Sequence, residues 1–283
     1  MKKSGLSMLP VFLWLCLFLV VPMLIVVGIS FMGRDELGNV VLDFNLDAYA
    51  LFFDPLYLGI YWDTIVLSVL TTALCLLLSY PLAYYIANAG PRMQTWGLVL
   101  ITVPFWINFL IRTYAWVLLL RTQGIVNEFL LSIGLISEPL QMLYTKGAVL
   151  LGMVYTFIPF MVLPIFVALE QMDKRLLEAA SDLGASSWKA FWHITLPQTK
   201  SGIMTGSVLV YVSTTGMFVV TDILGGAKSA MISNIIQSQF LGARNWPFGS
   251  ALSVIFVITS LILIALFNRA MTSRYQRVRE VRS

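Results

Sequence analysis

Six apolar stretches alternate with polar connections along the chain. They run from about Leu9 to Phe31, Thr64 to Ala87, Trp96 to Leu120, Ala148 to Ala168, Ile203 to Leu224 and Phe248 to Phe267. A helix rises by 1.5 Å per residue, so about 20 apolar residues cross a hydrocarbon core. The pattern predicts an all-α, polytopic membrane bundle of six transmembrane helices, a single domain over residues 1–283. The first stretch follows MKKSG as a signal peptide would. It is longer than the roughly 7–15 apolar residues of a signal core and no Ala-x-Ala site follows, so it reads as an uncleaved span with Pro22 as a kink.

The connections carry their own signals. Met32 to Asp63 is an acidic loop with Asp35, Glu36, Asp43, Asp47, Asp54 and Asp63 against Arg34 alone, and Asp54-Pro55 marks a turn. Gly90-Pro91-Arg92 is a tight return. The third span holds Pro104, Asn108 and Arg112, which predicts an irregular course. Phe129, Leu130, Leu131, Ile133 and Leu135 predict a short interfacial helix. Gly225-Gly226 closes the fifth span, Met231 to Phe240 predicts a short amphipathic helix, and Trp246-Pro247 opens the sixth.

Between the fourth and fifth spans lies the longest charged stretch inside the apolar sequence, EAASDLGASSWKAFWHITLP at Glu178–Pro197. Asp173 suits an N-cap, and Gly184 suits the left-handed residue just past a helix end. Leu176, Leu177, Ala180 and Leu183 share one face, while Glu178 and Asp182 fall on another. Ser186 caps a second helix that carries Trp188, Phe191, Trp192 and Thr195 on one face, with Pro197 near its end. The segment 173–197 is thus predicted to be two short helices joined by a glycine bend. Periodicity alone favours an amphipathic loop lying on the lipid surface. His193, the sole histidine, reads as a polar loop residue.

Composition supports the membrane class: 59% of residues are hydrophobic and 11% charged, against roughly 45–50% and about 25% in soluble domains. The net charge of +4 comes with no basic helix and no aromatic–basic interleaving, which excludes a nucleic-acid partner. Cys16 and Cys75 lie inside apolar runs, which argues against a disulfide framework or a metal site. The basic residues are instead topological. Twelve of the 18 (Lys2, Lys3, Arg92, Lys174, Arg175, Lys189, Lys200, Arg269, Arg274, Arg277, Arg279, Arg282) fall at the termini and in even-numbered loops. Five (Arg34, Arg121, Lys146, Lys228, Arg244) fall in odd-numbered loops, and Arg112 is intramembrane. The positive-inside rule then places both termini and the Glu178 loop in the cytoplasm.

The full pattern at Glu178, Ala179, Ala180, Gly184, Ile194, Leu196 and Pro197 resembles the EAA loop of permease subunits of type I ATP-binding-cassette (ABC) importers, and it outweighs the lipid-surface reading. PFWINFLIRTYAW at Pro104–Trp116, DPLY at Asp54–Tyr57, LLSYPLAYYIA at Leu77–Ala87, YTFIPFMVLPIF at Tyr155–Phe166, LGGAK at Leu224–Lys228 and RNWPFGSA at Arg244–Ala251 extend the likeness over nearly the whole chain. They are similar to the spermidine/putrescine importer permeases.

That resemblance implies a machine in the bacterial inner membrane. A second, related permease, two ATPase subunits and a periplasmic polyamine-binding protein would complete it, with a polyamine as the cargo. ATP and Mg would bind the ATPase partner and no cofactor this chain, which has no G-x-x-x-x-G-K-[ST] loop. Coupling to the ATPase is assigned to Glu178, Ala179, Ala180, Asp182, Gly184, Ile194, Leu196 and Pro197.

A polyamine is a string of ammonium groups joined by methylenes, so carboxylates and aromatic faces suit its path. Intramembrane ionisable residues are functional candidates because they are costly there. Asp222 is one; facing the pathway, or pairing with Arg112 or capping amides near Gly225, are its two readings. Arg112 reads as structural, satisfying carbonyls freed near Pro104 or pairing with an acid. Trp106, Tyr114, Trp116, Tyr155, Tyr211 and Phe218 are candidate wall residues, against packing or interface anchoring. The acidic first loop either enriches cations or contacts the binding protein, or is merely solvated. Glu178 either pairs with the ATPase or favours its own helix start. A permease for another small solute and an ion-coupled secondary carrier are the alternative functions. A carrier leaves the EAA loop without a role and calls for internal repeats that the sequence does not show.

Overall fold

The structure, a computed structural model, describes residues 10, 13–35 and 38–280, with residues 227–228 and 271–280 as backbone only. Lys2, Lys3, Leu9, Glu36 and Arg282 lie outside the described residues, as do the side chains of Lys228, Arg274, Arg277 and Arg279.

Each apolar stretch carries helix, because a helix satisfies its backbone polar groups internally where lipid offers no partner. Helix α1 (Leu13–Ile29) includes a π turn at Cys16–Val20 that leads into Pro22. The acidic loop is more ordered than the sequence pattern predicts. Strands β1 (Met32–Arg34) and β2 (Val40–Phe44) form an antiparallel hairpin with a bulge between Met32 and Gly33, and helix α2 (Asp47–Phe52) follows. Asp54-Pro55 is a helix start and not a free turn. The Asp54 carboxylate accepts the Leu56 amide at 2.8 Å, and Pro55 sits where a missing N–H costs nothing. Helix α3 therefore runs over Pro55–Asn88, and the second span begins well before Thr64.

Beyond the return at Gly90 come α4 (Pro91–Trp106) and α5 (Phe109–Leu120). Their axes bend by 93° at the Ile107-Asn108 break. The expected irregularity is located there: Pro104 lacks a donor, and the Asn108 side chain starts a new helix by accepting the Leu110 amide at 2.8 Å. Helix α6 is Ile125–Ser132, ending before Ile133 and a left-handed Gly134, so the short helix lies upstream of its expected place.

Then come α7 (Lys146–Glu170), α8 (Arg175–Asp182) and α9 (Ser187–Ala190), the last continuing through a π turn at Phe191–Thr195 to Gln198. Helices α10 (Lys200–Thr215) and α11 (Phe218–Gly225) meet at 55°, so the fifth span is broken at Gly216-Met217 and not a single run. Helix α12 (Ile232–Leu241) precedes α13 (Trp246–Glu280), which Asn245 caps through the Phe248 amide. Among the described residues three helices, α3, α7 and α13, are long and apolar enough to cross a membrane alone. The two bent pairs raise the number to five, and α1 is a shorter apolar helix.

The chain forms two compact units. One contains the described residues of Met1–Tyr61 and Ile232–Ala265. Its core gathers Phe52, Ile232, Phe248, Ala251 and Leu252, with the Tyr57 ring edge-on to Phe248 at 4.8 Å and Tyr61 hydrogen-bonded to Thr259. The other unit, Trp62–Met231 with Leu266–Ser283, is built around α7. Of the apolar span of α7 61% is buried, against 22% for α3, so within this unit α7 is the helix the others pack on.

Helix α10 approaches α7 through Gly202 and Gly206, a G-x-x-x-G pair. A Cβ at Gly202 would lie 2.5 Å from the Pro164 carbonyl oxygen, and one at Gly206 2.7 Å from the Met161 sulfur. Apolar side chains gain little by leaving lipid for a neighbouring helix, so close backbone approach supplies the dispersion that holds the pair. Helix α3 meets α7 through buried small polar residues: the Ser79 hydroxyl donates to Ile158 O at 3.3 Å, and the Cys75 thiol points at Val154 O at 3.7 Å.

Candidate coupling surface and translocation pathway

The Glu178–Pro197 stretch folds as two short helices around a glycine, and hydrogen bonds explain why. The Asp173 carboxylate accepts the Arg175 amide at 3.0 Å ahead of α8. At the other end the Gly184 amide donates to Ser181 O and the Ala185 amide to Ala180 O, both at 2.9 Å. These two bonds are the Schellman pair, and they require the residue past the helix to be left-handed, where Gly184 stands at φ 77°. Ser186 caps α9, its hydroxyl accepting the Lys189 amide at 3.4 Å.

No residue of α8 is buried. Leu176 and Leu183, on its apolar face, are 41% and 88% exposed. Glu178 lies in the first turn and is exposed, as are Ala179 and Asp182. Leu177 and Ala180, on the same face, are half-buried, so the apolar stripe is only partly covered. The second half of the stretch is anchored inward: Thr195 is 1% exposed, Leu196 packs on the main core, Ile194 is half-buried and Pro197 exposed. The His193 ring nitrogen Nδ1 lies 2.9 Å from Lys189 O, a local bond within the helix.

Of the candidate wall residues, Trp106 stands at the α4–α5 break and is 88% exposed, and Tyr114 is exposed on α5. Tyr155 on α7 meets Trp116 edge-on at 5.5 Å. The turn Thr221–Gly225 packs against both α5 and α7 and carries an exposed Asp222. Tyr211 and Phe218 are half-buried on either side of the α10–α11 break. The folding thus brings α5, α7 and the Asp222 turn together. Arg112 lies on α5 with its guanidinium carbon 5.8 Å from the Phe105 ring centroid and 6.0 Å from that of Phe109. Among the described residues it forms no salt bridge, and its buried Nε has no hydrogen-bond partner, so aromatic faces take the role of counter-charge.

The acids of the first loop divide by role. Asp35 holds the hairpin turn through the Asn39 amide at 2.7 Å, Asp54 caps α3, and Asp63 pairs with Lys146 at 2.7 Å. Asp43 and Asp47 line a cavity of about 340 Å³ with Arg34, Asn45 and Asn245, and Arg34 is fixed there by donating to Ala243 O at 2.9 Å. The Lys146–Asp63 pair joins residues 83 apart; no local sequence signal links them. Among the described residues no group of three or more His, Cys, Asp or Glu is placed to hold a metal ion.

An apolar helical bundle that interrupts itself with an exposed, glycine-hinged pair of helices has the build of an importer permease. Residues 79–280 match the family described as "Binding-protein-dependent transport system inner membrane component", and the chain belongs to that family. It is a membrane-spanning permease subunit of an ABC importer, a transport subunit and not an enzyme.

Among relatives, the chain is 41% identical over 269 residues to the "Spermidine/putrescine transport system permease protein PotB" of Haemophilus influenzae, covering 95% of this chain and 94% of that protein. It is 42% identical over 257 residues to the protein of the same name from Escherichia coli K12, covering 91% and 94%. In fold it resembles a chain from the crystal structure of a bacterial ABC transporter involved in the import of the acidic polysaccharide alginate. That match has a TM-score of 0.79 at 19% identity and covers 95% of each chain.

Proposed function

We propose that this chain is one of two related permeases of a polyamine importer and that it conducts spermidine, putrescine or both into the cytoplasm. The observation that carries this reading is the 41% identity, over 95% of the chain, to a relative named for spermidine/putrescine transport. In this reading the termini and the α8–α9 elbow are cytoplasmic, where the basic residues concentrate. Two ATPase subunits bind ATP and Mg and receive the elbow, with the exposed leucines of α8 entering a groove on the ATPase. Glu178, Ala179, Ala180, Asp182 and Gly184 form the docked half, and Ile194, Leu196 and Pro197 join it to the bundle. A polyamine-binding protein delivers cargo on the outer side. Nucleotide closure moves the elbow, the pathway opens outward, and hydrolysis resets it.

The cargo path is assigned to Asp222 and the aromatic faces of Trp106, Tyr114, Tyr155, Tyr211 and Phe218. A carboxylate balances an ammonium, and rings hold ammonium and methylene groups alike. Arg112 is a structural cation, held over Phe105 and Phe109. Uptake by proteoliposomes containing the complete importer tests the reading, comparing spermidine, putrescine and an uncharged solute of similar length. Saturable, ATP-dependent uptake of the polyamines alone is expected. Uptake of the uncharged solute at the same rate would assign the chain to another cargo. Uptake by this chain alone, driven by an ion gradient, would make it a secondary carrier.

A further inference from the structure

The coupling elbow touches more than its own chain neighbours. Phe191, the first residue of the π turn, meets the Tyr80 ring edge-on at 5.6 Å and the Tyr84 ring at 6.2 Å, both on α3. Trp188 stacks on Phe191 at 6.0 Å with 20° between the planes, and Trp192 closes the cluster at 5.6 Å. Trp188 and Trp192 remain 69% and 49% exposed, whereas Tyr80 is 8% exposed and Phe191 packs on the main core. One end of the cluster therefore lies at the surface of the elbow and the other inside the bundle.

Tyr80 makes a second contact. Its hydroxyl and that of Thr199 lie 2.9 Å apart, and Thr199 is fully buried. Thr199 is the joint between the elbow and α10: its amide donates to Thr195 O, and its carbonyl accepts the Ile203 amide. Elbow and α10 thus form one rod joined through Thr199, with Pro197 the one residue that has no N–H to add to the ladder. Tyr80 grips that rod at two points, Phe191 by the ring and Thr199 by the hydroxyl. The next residue, Pro81, lacks an N–H to bond the Leu77 carbonyl, so α3 is weakest against bending beside the grip. Without the grip a displaced elbow would pull only on α7 and α10, the helices it joins in the chain; with it, the displacement enters α3 at its weak point.

We infer that Tyr80 and Phe191 are positioning residues that transmit movement of the coupling elbow into α3, so that nucleotide-driven motion reaches a helix that the elbow does not adjoin in the chain as well as the two, α7 and α10, that it does. This rests on the proposed coupling role of Glu178–Pro197 and deepens it. Neither residue is among those assigned to the docked half of the elbow or to the cargo path. Their loss is therefore expected in the ratio of spermidine taken up to ATP hydrolysed, a readout that a purely structural defect, acting only on the amount of complex, does not move.

The test uses the complete importer in proteoliposomes, with its binding protein and labelled spermidine. Phe191→Ala is expected to lower uptake per ATP by about tenfold, the scale of an ordinary coupling between two sites, while the ATPase still co-purifies. Phe191→Trp, which keeps a ring in place, is expected to restore most of the ratio. Tyr80→Phe, which keeps the ring and loses the Thr199 contact, is expected to fall between. The double variant Tyr80→Ala with Phe191→Ala is expected to be no worse than the poorer single one, because both break the same link. If Phe191→Ala does not assemble, Phe191→Leu and Tyr80→Phe carry the test by the same ratio. An unchanged ratio in the assembled variants, or single effects that multiply in the double variant, would overturn the inference. Failure of the underlying reading looks different: the unsubstituted chain would not co-purify with an ATPase, or Gly184→Pro would leave spermidine-stimulated hydrolysis intact.

Discussion

Substitution at Gly184 separates backbone strain from loss of the elbow. A Cβ at this position meets nothing within 4 Å, so its neighbours do not resist a side chain. Only the φ of 77° does. Alanine in the left-handed region costs about 1–2 kcal/mol, and asparagine, which visits it readily, costs less. At about 1.4 kcal/mol per tenfold change, Gly184→Ala should shift the folded-elbow equilibrium by roughly five- to thirtyfold, and Gly184→Asn by only a few-fold.

Proline is different in kind. Its ring holds φ near −65°, on the opposite side of zero, and it deletes the N–H that donates to Ser181 O. The turn required by Ala185→Ala180 is lost as well. Two hydrogen bonds at about 1 kcal/mol each add to the redirection of α9. Spermidine-stimulated ATP hydrolysis by the complete importer, measured at equal amounts of assembled complex, should rank Gly, Asn, Ala, then Pro, with Pro at the unstimulated level. If Pro matched Gly, or if Ala and Pro were equally inactive, the hinge reasoning would be wrong.

Other substitutions probe the bundle and the pathway. Gly202→Val places a branched side chain where even a Cβ lies 2.5 Å from a backbone oxygen. It should cost at least about 1–3 kcal/mol by overpacking α10 against α7. A lowered melting temperature of the detergent-solubilised protein would register this, and an unchanged one would refute the close contact. The Lys146–Asp63 pair is 61% and 53% exposed, so Asp63→Asn should change stability by no more than about 1 kcal/mol; a large loss of folded protein would contradict that. Asp222→Asn should slow uptake of spermidine while leaving assembly intact, and unchanged uptake would remove Asp222 from the cargo path.

Much of this molecule is written locally. Apolar length alone marked the stretches that carry helix, and the elbow was legible because each of its devices is a residue type with one conformational talent: Asp173 and Ser186 at helix starts, Gly184 where φ turns positive. Other features were hidden because local pattern is silent about partners. The hairpin at Met32–Phe44 lay inside what read as an acidic loop, since two strands specify each other and neither is periodic enough alone. Asp54-Pro55 read as a turn because the same dipeptide also opens helices, and Tyr57 to Asp63, which read as the end of the acidic loop, continue α3 once it has begun. The break at Gly216-Met217 carried no proline to announce it.

What only the tertiary structure decided is which of many similar residues meet. Tyr80 is one of 11 tyrosines, and no pattern around it in sequence names its partners. Its place against Phe191 and Thr199 depends on contacts 111 and 119 residues away (191 − 80 and 199 − 80). The partnership of Lys146 with Asp63 arises in the same way. Spans are fixed by the solvent, which acts on each segment separately; partners are fixed by packing, which acts on all segments together.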